Sequence, residues 1–261
     1  MITSTGNTRI KSVSALVKKP KARREQKLFI VEGPKMFAEL PKERLQEAYV
    51  SESFLKQQGD RAEKLLAGCR YETVSDDVMR YLSDTQTPQG ILAVAEQYSY
   101  TLSDVLAKPS HLVILETLQD PGNLGTILRA GEGAGITGIV MNEETADIYN
   151  PKVIRATMGS IYRVPFVYVK DLKGALSELK NAGVCLYAAH LKGTKSYEEA
   201  DYTADTGFLI GNEANGLTDE TAKLADCYIR IPMAGKVESL NAAIAASVLM
   251  FEAARQRRGL R

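Results

Sequence analysis

The chain has 261 residues, of which 44% are hydrophobic, enough to bury the core of one large domain or two ordinary ones. It has no apolar run of eighteen residues and no charged-then-apolar leader, so we expect a cytoplasmic protein without a membrane span or a secretory signal. The 3 cysteines form no CxxC pair and there are only 2 histidines, so we expect neither a disulfide framework nor a metal site.

Positive charge is concentrated at the start of the chain. Residues 1–35 carry nine Lys and Arg against two Glu, a net charge of +7, so the overall +1 leaves −6 for the remainder. Such a cluster is either a solvated face or a surface for a phosphate backbone. The second interpretation assigns nucleic-acid contacts to Arg9, Lys11, Lys18, Lys19, Lys21, Arg23 and Arg24.

The first part of the chain alternates short apolar runs with helical patterns, which predicts a small α/β domain over residues 1–96. The predicted helices are 7–17 (ended by Pro20), 35–40, 60–67 and 75–82, and the predicted strands are 28–33, 48–53, 71–74 and 91–97. The polar residues 97–108 are predicted to be a linker between domains.

Residues 109–261 repeat the alternation of buried strands and amphipathic helices, which predicts a parallel sheet covered on both faces. The predicted strands are 111–117, 136–142, 164–169, 184–190, 208–210 and 227–231, and the predicted helices are 123–135, 150–159, 171–183 and 238–258. The fold class is therefore α/β, with a smaller α/β domain preceding a parallel-sheet domain.

Two glycine motifs suggest nucleotide binding, but their context is wrong. GAGITG at 133–138 fits G-x-G-x-x-G, yet a helix ends there and a strand begins, so Gly133 and Gly135 are interpreted as helix C-caps. A phosphate loop around Gly235 and Lys236 would need a glycine where Arg230 stands.

The strongest indication of a ligand site lies in residues 207–241. The runs 208–210 and 227–231 each end in a glycine-bearing polar loop, and the second loop leads into the last helix. In open α/β sheets, ligands bind beyond the carboxyl ends of the strands. We therefore expect these two loops to face one another across a ligand site.

Three segments carry a family resemblance: NLGTILRAGEGAG, GNEANGL and IPMAGKVESLNAAIAASVLMFE resemble, in order, the three motifs of the SpoU (TrmH-like) branch of the SPOUT RNA methyltransferases. VEG early in the chain and TPQG before ILAV resemble the L30e-like RNA-binding domain that precedes the catalytic domain in many such enzymes. The resemblance implies a trefoil knot, a homodimer formed through the last helix, and methylation of a ribose 2′-hydroxyl with S-adenosylmethionine. It favours ribosomal RNA over transfer RNA.

The resemblance also implies site residues. Those implied at the catalytic centre are Asn123, Arg129, Glu213, Ser239 and Asn241, and those implied at the cofactor are Gly211, Asn212, Ile231, Met233 and Leu240. On spacing alone, Asn123 is equally well a helix N-cap and Arg129 an exposed helix residue, and Ile231 and Leu240 suit a core. Because arginine stays protonated in proteins, we expect Arg129 to grip phosphate, with Glu213 or water sharing the hydroxyl proton.

The last helix is predicted to bury an apolar stripe of Leu240, Ile244, Val248 and Phe251. Two other functions stay open. A non-catalytic RNA-binding protein would need only the basic first domain, and a nucleotide-cofactor oxidoreductase would depend on the misplaced glycine motif.

Overall fold

The computed structural model describes residues 1–259, which form two compact units. The first unit comprises Met1–Tyr98 together with Asp147–Tyr162, and the second comprises Ser99–Ala146 and the described residues from Arg163 onward. The chain therefore passes from the first unit to the second, back again, and once more to the second.

The strands are β1 (Leu28–Glu32), β2 (Leu45–Ser51), β3 (Tyr71–Val74), β4 (Ile91–Glu96), β5 (His111–Leu115), β6 (Gly138–Asn142), β7 (Phe166–Val169), β8 (Cys185–Ala189), β9 (Lys195–Ser196), β10 (Thr206–Ile210) and β11 (Cys227–Arg230). The α-helices are α1 (Thr8–Lys18), α2 (Pro20–Gln26), α3 (Pro34–Glu39), α4 (Glu52–Gln58), α5 (Asp60–Leu66), α6 (Asp76–Leu82), α7 (Leu102–Val105), α8 (Pro121–Ala134), α9 (Pro151–Thr157), α10 (Leu172–Asn181), α11 (Asp219–Ala222) and α12 (Ala242–Arg258).

The first unit is built on a four-stranded sheet in the order β1-β4-β2-β3, in which β4 is antiparallel to both of its neighbours. Helices α1 and α6 pack against one another and contribute to one apolar core, where Ile10, Leu16 and Leu82 are fully or almost fully buried beside Tyr49. The apolar residues of α1 recur every three or four positions, which places them on the face toward this core.

The segment Asp147–Tyr162 was predicted in the second domain, but it packs in the first unit. The ring of Tyr149 lies 5.0 Å from that of Phe29, and the Tyr162 hydroxyl donates a 3.1 Å hydrogen bond to the Met36 carbonyl. These two contacts, together with the packing of α9 on β1, account for the position of the segment in the first unit. The predicted linker also contains α7, whose Val105 is fully buried.

The second unit is built on a parallel sheet of seven strands in the order β7-β6-β5-β10-β8-β11-β9. Strands β5, β6 and β10 are buried at every position, as expected inside a parallel sheet, and leucines of α10 pack in its core. Helices α8 and α12 pack against each other. Because all the strands run the same way, the loops after β5, β8, β10 and β11 lie at one edge of the sheet.

The structure corrects several local predictions. Elements α4, α7, α11 and β9 were not predicted, and Pro20 starts α2 rather than only ending α1. Gly135 is the left-handed C-cap of α8, with φ 75°, whereas Gly133 lies inside that helix. The apolar stripe predicted for α12 is wrong, because Ile244 and Phe251 are 51% and 45% exposed. The buried face of α12 consists of Ala243, Ala246, Leu249, Met250, Ala253 and Ala254.

Candidate functional site

A cleft of about 760 Å³ opens at the carboxyl ends of β8, β10 and β11, three neighbouring strands of the second unit. Its walls are the loop 189–192, the loop 210–217, residues 231–233 and 238–240, and the first two turns of α12. Clefts of roughly 300–1,000 Å³ accommodate nucleotide-sized ligands. The five residues predicted to contact a cofactor, Gly211, Asn212, Ile231, Met233 and Leu240, all line it.

The loop after β10 is held in a fixed shape by its own backbone. Asn212 and Gly216 exchange two backbone hydrogen bonds of 3.0 and 2.9 Å, and the Asn212 side chain accepts from the backbone of Ala214 and Asn215. A Cβ at Gly211 would lie 2.1 to 2.3 Å from the backbone of Gly216 and Leu217. The glycine is therefore required by packing within the loop.

Three predicted residues from separate parts of the sequence meet in one hydrogen-bonded chain. The side-chain nitrogen of Asn123 donates to Glu213 at 3.0 Å, and its side-chain oxygen accepts from the side-chain nitrogen of Asn241 at 2.9 Å. Asn241 in turn caps α12 by accepting from the backbone of Ala243 and Ile244. The three sequence motifs are thus joined through side chains at positions 123, 213 and 241.

Glu213 is an anchored carboxylate. Burial would raise the pKa of Glu213, but hydrogen bonds from the Gln119 backbone, the Asn123 side chain and the Asp120 backbone outweigh burial and hold this pKa below its usual value. A carboxylate with a lowered pKa and occupied oxygens is a weak proton acceptor. The geometry therefore favours Glu213 as the residue that holds the turn before α8 over the proton-sharing role expected from the sequence.

Asn123 is not the N-cap that its spacing allowed. Asp120 caps α8 by accepting from the Asn123 backbone at 2.8 Å, and Pro121 occupies the first helical turn. This leaves the Asn123 side chain free to join Glu213 and Asn241.

The structure does not bring Arg129 and Ser239 into this chain of hydrogen bonds. Arg129 is exposed on α8, and among residues 1–259 no hydrogen bond or ion pair to it is found. Six residues of helix separate it from Asn123, which amounts to about 9 Å along the axis and a rotation of about 120°. Ser239 is exposed and lines the cleft.

Sequence reasoning missed the wall formed by the loop after β8. His190, Leu191 and Lys192 line the cleft, and the His190 ring lies 5.2 Å from that of Tyr228. This loop is far from both glycine-bearing loops in the sequence. Only the strand order, with β8 between β10 and β11, could have revealed it.

The basic cluster of the first unit divides into paired and unpaired side chains. Arg9 forms ion pairs with Glu47 and Glu72, and those hydrogen bonds raise the pKa of its guanidinium. Lys21 lies 3.7 Å from a Glu25 oxygen, and Lys18 lies over the ring of Tyr81. Lys11, Lys19 and Arg24 are exposed, and within the described part of the chain they have no ion pair.

The prediction that Arg23 contacts RNA is wrong for the folded chain, because Arg23 is only 1% exposed. Its guanidinium is bound to Asp147, with a nitrogen-to-oxygen distance of 2.7 Å, and it also donates to the carbonyls of Leu16 and Val17. Burial and four hydrogen bonds leave no donor face for a phosphate.

Residues 1–259 contain no cluster of three or more His, Cys, Asp or Glu side chains able to hold a metal ion. None of the helices in this range combines the length and the apolar composition needed to cross a bilayer.

Comparisons with known families match both parts of the chain. Residues 110–251 match the SpoU rRNA Methylase family, and residues 7–93 match the MRM3-like substrate binding domain. The first match covers more than half of the 261 residues.

Individual proteins match over nearly their whole length. The 23S rRNA (guanosine(2553)-2′-O)-methyltransferase RlmP of Bacillus subtilis is 30% identical over 96% of this chain and 97% of its own. The SpoU methyltransferase AviRb of Streptomyces viridochromogenes, solved in complex with AdoMet, superposes with a TM-score of 0.87 at 28% identity, covering 97% and 98% of the two chains. An AdoMet-bound rRNA methyltransferase of Sinorhizobium meliloti gives 0.85 at 32% identity, covering 100% and 98%.

Proposed function

The chain belongs to the SpoU rRNA methylase family, and we propose that it transfers a methyl group from S-adenosylmethionine to a ribose 2′-hydroxyl of ribosomal RNA. The carrying observation is the chain of side-chain hydrogen bonds from Glu213 through Asn123 to Asn241, beside a cleft of nucleotide size. The relatives named above, one a 23S rRNA ribose methyltransferase and two solved with AdoMet, support the substrate and the cofactor.

The cleft suits the cofactor. Ile231, Met233 and Leu240 offer apolar contacts for an adenine ring, and Leu191 extends the apolar wall on the opposite loop. The backbone of the loop 211–217 offers donors and acceptors at fixed positions. When bound, S-adenosylmethionine supplies an electrophilic methyl group on sulfur.

The side chains of this protein would then orient the ribose and manage its proton. The side-chain nitrogen and oxygen of Asn123 both form hydrogen bonds within the protein, which fixes the orientation of its amide. The amide would therefore present a constant geometry to a bound ribose. Arg129, which carries no ion pair among the described residues, is suited to grip an RNA phosphate and polarise the hydroxyl through its planar fork. Ser239, exposed at the cleft, or water is left to share the proton, since Glu213 is held as an anchored anion.

We propose that the first unit binds the RNA substrate through the exposed cations Lys11, Lys18, Lys19, Lys21 and Arg24. The match of residues 7–93 to a substrate-binding domain supports this assignment. Phosphate contacts by such cations release counterions, so binding should weaken steeply with salt.

We further propose a homodimer formed through α12. Ile244 and Phe251 lie seven residues apart on one side of this helix and are about half exposed, which is costly for large apolar side chains unless a partner covers them. A C₂ arrangement would place the same stripe from two copies face to face. The trefoil knot implied by the family resemblance and the cytoplasmic location expected from the composition belong to the same proposal.

Two alternatives can be tested together with this function. Purified protein is incubated with labelled S-adenosylmethionine and either 23S rRNA or transfer RNA lacking the modification. Label in the ribose of ribosomal RNA supports the proposal, whereas label only in transfer RNA supports a tRNA methyltransferase. RNA binding without cofactor binding by calorimetry would identify a non-catalytic RNA-binding protein.

A further inference from the structure

The loop between β8 and β9, residues 190–194, forms one wall of the cleft and is fixed to β11 on both sides. At its start, the His190 backbone donates a 3.0 Å hydrogen bond to the Ile229 carbonyl, and after its end β9 pairs with the last two residues of β11. A Cβ at Gly193 would lie 2.7 Å from the Ile229 carbonyl carbon, so the loop backbone lies directly against β11 at this glycine. The path of the loop is therefore fixed at residues 190 and 193.

Between these two positions the chain makes a β-turn with Leu191 and Lys192 at its corners. The Gly193 backbone donates to the His190 carbonyl at 2.9 Å, which closes the turn. A second hydrogen bond comes from a side chain, since the Lys192 backbone donates to Nδ1 of His190 at 3.1 Å. A side chain that accepts from the backbone two residues later stabilises a turn in the way that Asn and Asp often do. His190 thus determines the shape of the turn.

The His190 ring is itself held in place. It lies 5.2 Å from the ring of Tyr228, with an angle of 35° between the ring planes, and Tyr228 packs against the apolar core of the second unit. Because Nδ1 accepts a hydrogen bond, the neutral ring carries its proton on Nε2. The imidazole is therefore an acceptor in a fixed position, supported from the core by Tyr228.

Leu191 is the residue whose position this turn decides. It lines the cleft, on the loop opposite Ile231 and Leu240, and it is 69% exposed. A ligand that fills the cleft would cover this side chain, and covering apolar surface favours binding. Leu191 can contribute to affinity only while the turn keeps it at the cleft.

We propose that His190 is a positioning residue for the cofactor, which fixes the turn 190–193 and so holds Leu191 against bound S-adenosylmethionine. The inference rests on the proposed function, because that function identifies the ligand of the cleft. Since His190 acts through Leu191, it affects the affinity for the cofactor and leaves the rate of the transfer step unchanged once cofactor and RNA are saturating.

The test is calorimetry of the whole chain with S-adenosylmethionine. The variants are His190→Asn, whose side-chain oxygen is attached to Cγ as Nδ1 is, and His190→Gln, whose amide lies one carbon further from the backbone. Lys195→Gln, an exposed change in β9, is the matched control. A wild type that does not bind the cofactor would refute the proposed function and this inference with it. A wild type that binds, with both His190 variants unchanged, would refute the inference alone.

We expect His190→Gln to weaken cofactor binding about fivefold, as the loss of one ordinary hydrogen bond implies, and His190→Asn to stay within about twofold of wild type. Lys195→Gln should match wild type. The single-turnover rate at saturating cofactor and RNA, and the melting temperature, should be those of wild type in all three. Equal losses of affinity in the two His190 variants, or a lower saturated rate in His190→Gln, would overturn the proposal.

A second measurement tests the path through Leu191. Leu191→Ala changes an exposed side chain, and it should weaken cofactor binding about tenfold because apolar contact is lost. In that background His190→Gln should cost less than about twofold more, since its effect passes through the missing leucine. If the two losses of affinity instead multiply fully in the double variant, His190 does not act through Leu191 and the proposal is wrong.

Discussion

Asn241 donates a 2.9 Å hydrogen bond to the side-chain oxygen of Asn123, although 118 positions separate the two residues in the sequence. Because Asn241 also caps α12 and Asn123 also binds Glu213, this one contact joins the last helix, α8 and the cleft loop. The orientation of one amide therefore depends on three elements. Disturbing it should affect the whole site.

Asn123→Asp tests that dependence. The substitution replaces the donor facing Glu213 with an oxygen at about 3 Å, and two carboxylates at that distance repel or share a proton. We expect the single-turnover methylation rate to fall at least about a hundredfold, or about 2.7 kcal/mol. Thr126→Ala, an exposed change on the same helix, is the control, and a wild-type rate for Asn123→Asp would show that the amide contact has no catalytic importance.

Gly211→Ala should weaken cofactor binding by displacing the cleft loop, because the new Cβ would overlap the backbone of Gly216 and Leu217. Gly235→Ala is the matched control, since no atom lies within 4 Å of a Cβ at that glycine. Calorimetry with S-adenosylmethionine should show at least about a tenfold loss of affinity for the first variant, which is about 1.4 kcal/mol, and none for the second. Equal affinities of the two variants for S-adenosylmethionine would show that the loop after β10 is not part of the cofactor site.

Arg129→Ala should leave cofactor affinity unchanged and lower single-turnover methylation by about a hundredfold or more, because a charge-assisted contact to RNA in the transition state is lost. Arg129→Lys should rescue only part of the rate, since it keeps the charge but not the planar fork. If the rate at saturating RNA equals that of wild type, Arg129 has no role in the chemistry.

Ile244→Glu should convert the proposed dimer to a monomer, because it places a charge in the exposed apolar stripe of α12. Lys223→Glu, an exposed change in the same unit, controls for altered surface charge. Sedimentation of wild type and both variants at several protein concentrations measures whether each is a monomer or a dimer. A monomeric wild type, or a dimeric Ile244→Glu, argues against an interface on this helix.

His111 should make stability depend on pH. It is 1% exposed, and burial, followed by the charge of Arg257, lowers the pKa of His111 to about 4. Between pH 6.5 and 4 the unfolded chain binds more protons at this residue, so the free energy of unfolding falls on acidification, by at most about 3 kcal/mol. The free energy of unfolding is measured with urea at several pH values. It should change less with pH for His111→Leu than for the partly exposed control His190→Leu. An equal dependence on pH in the two variants would show that His111 is not the group responsible.

The sequence was sufficient for most strands and for the meeting of the three motifs, because buried parallel strands are continuous apolar runs and their ends share one edge. It was insufficient for the faces of α12. The buried side uses alanines, which give little periodic signal, whereas Ile244 and Phe251 gave a strong but misleading one.

The sequence also could not predict pairs of residues that are far apart in the chain. Nothing near Arg23 distinguishes it from Arg24, and only the partner at position 147 makes it a buried residue. The same pairing means that a fragment of residues 1–95 would leave Arg23 without Asp147.

The most direct test of the account is to map ribose methylation in RNA from cells with and without this protein. The account predicts that one or a few 2′-O-methyl groups disappear from ribosomal RNA in the deletion strain and return with wild-type protein, but not with Asn123→Asp. Unchanged ribosomal RNA, together with a methyl group lost from transfer RNA or from a base, would contradict it.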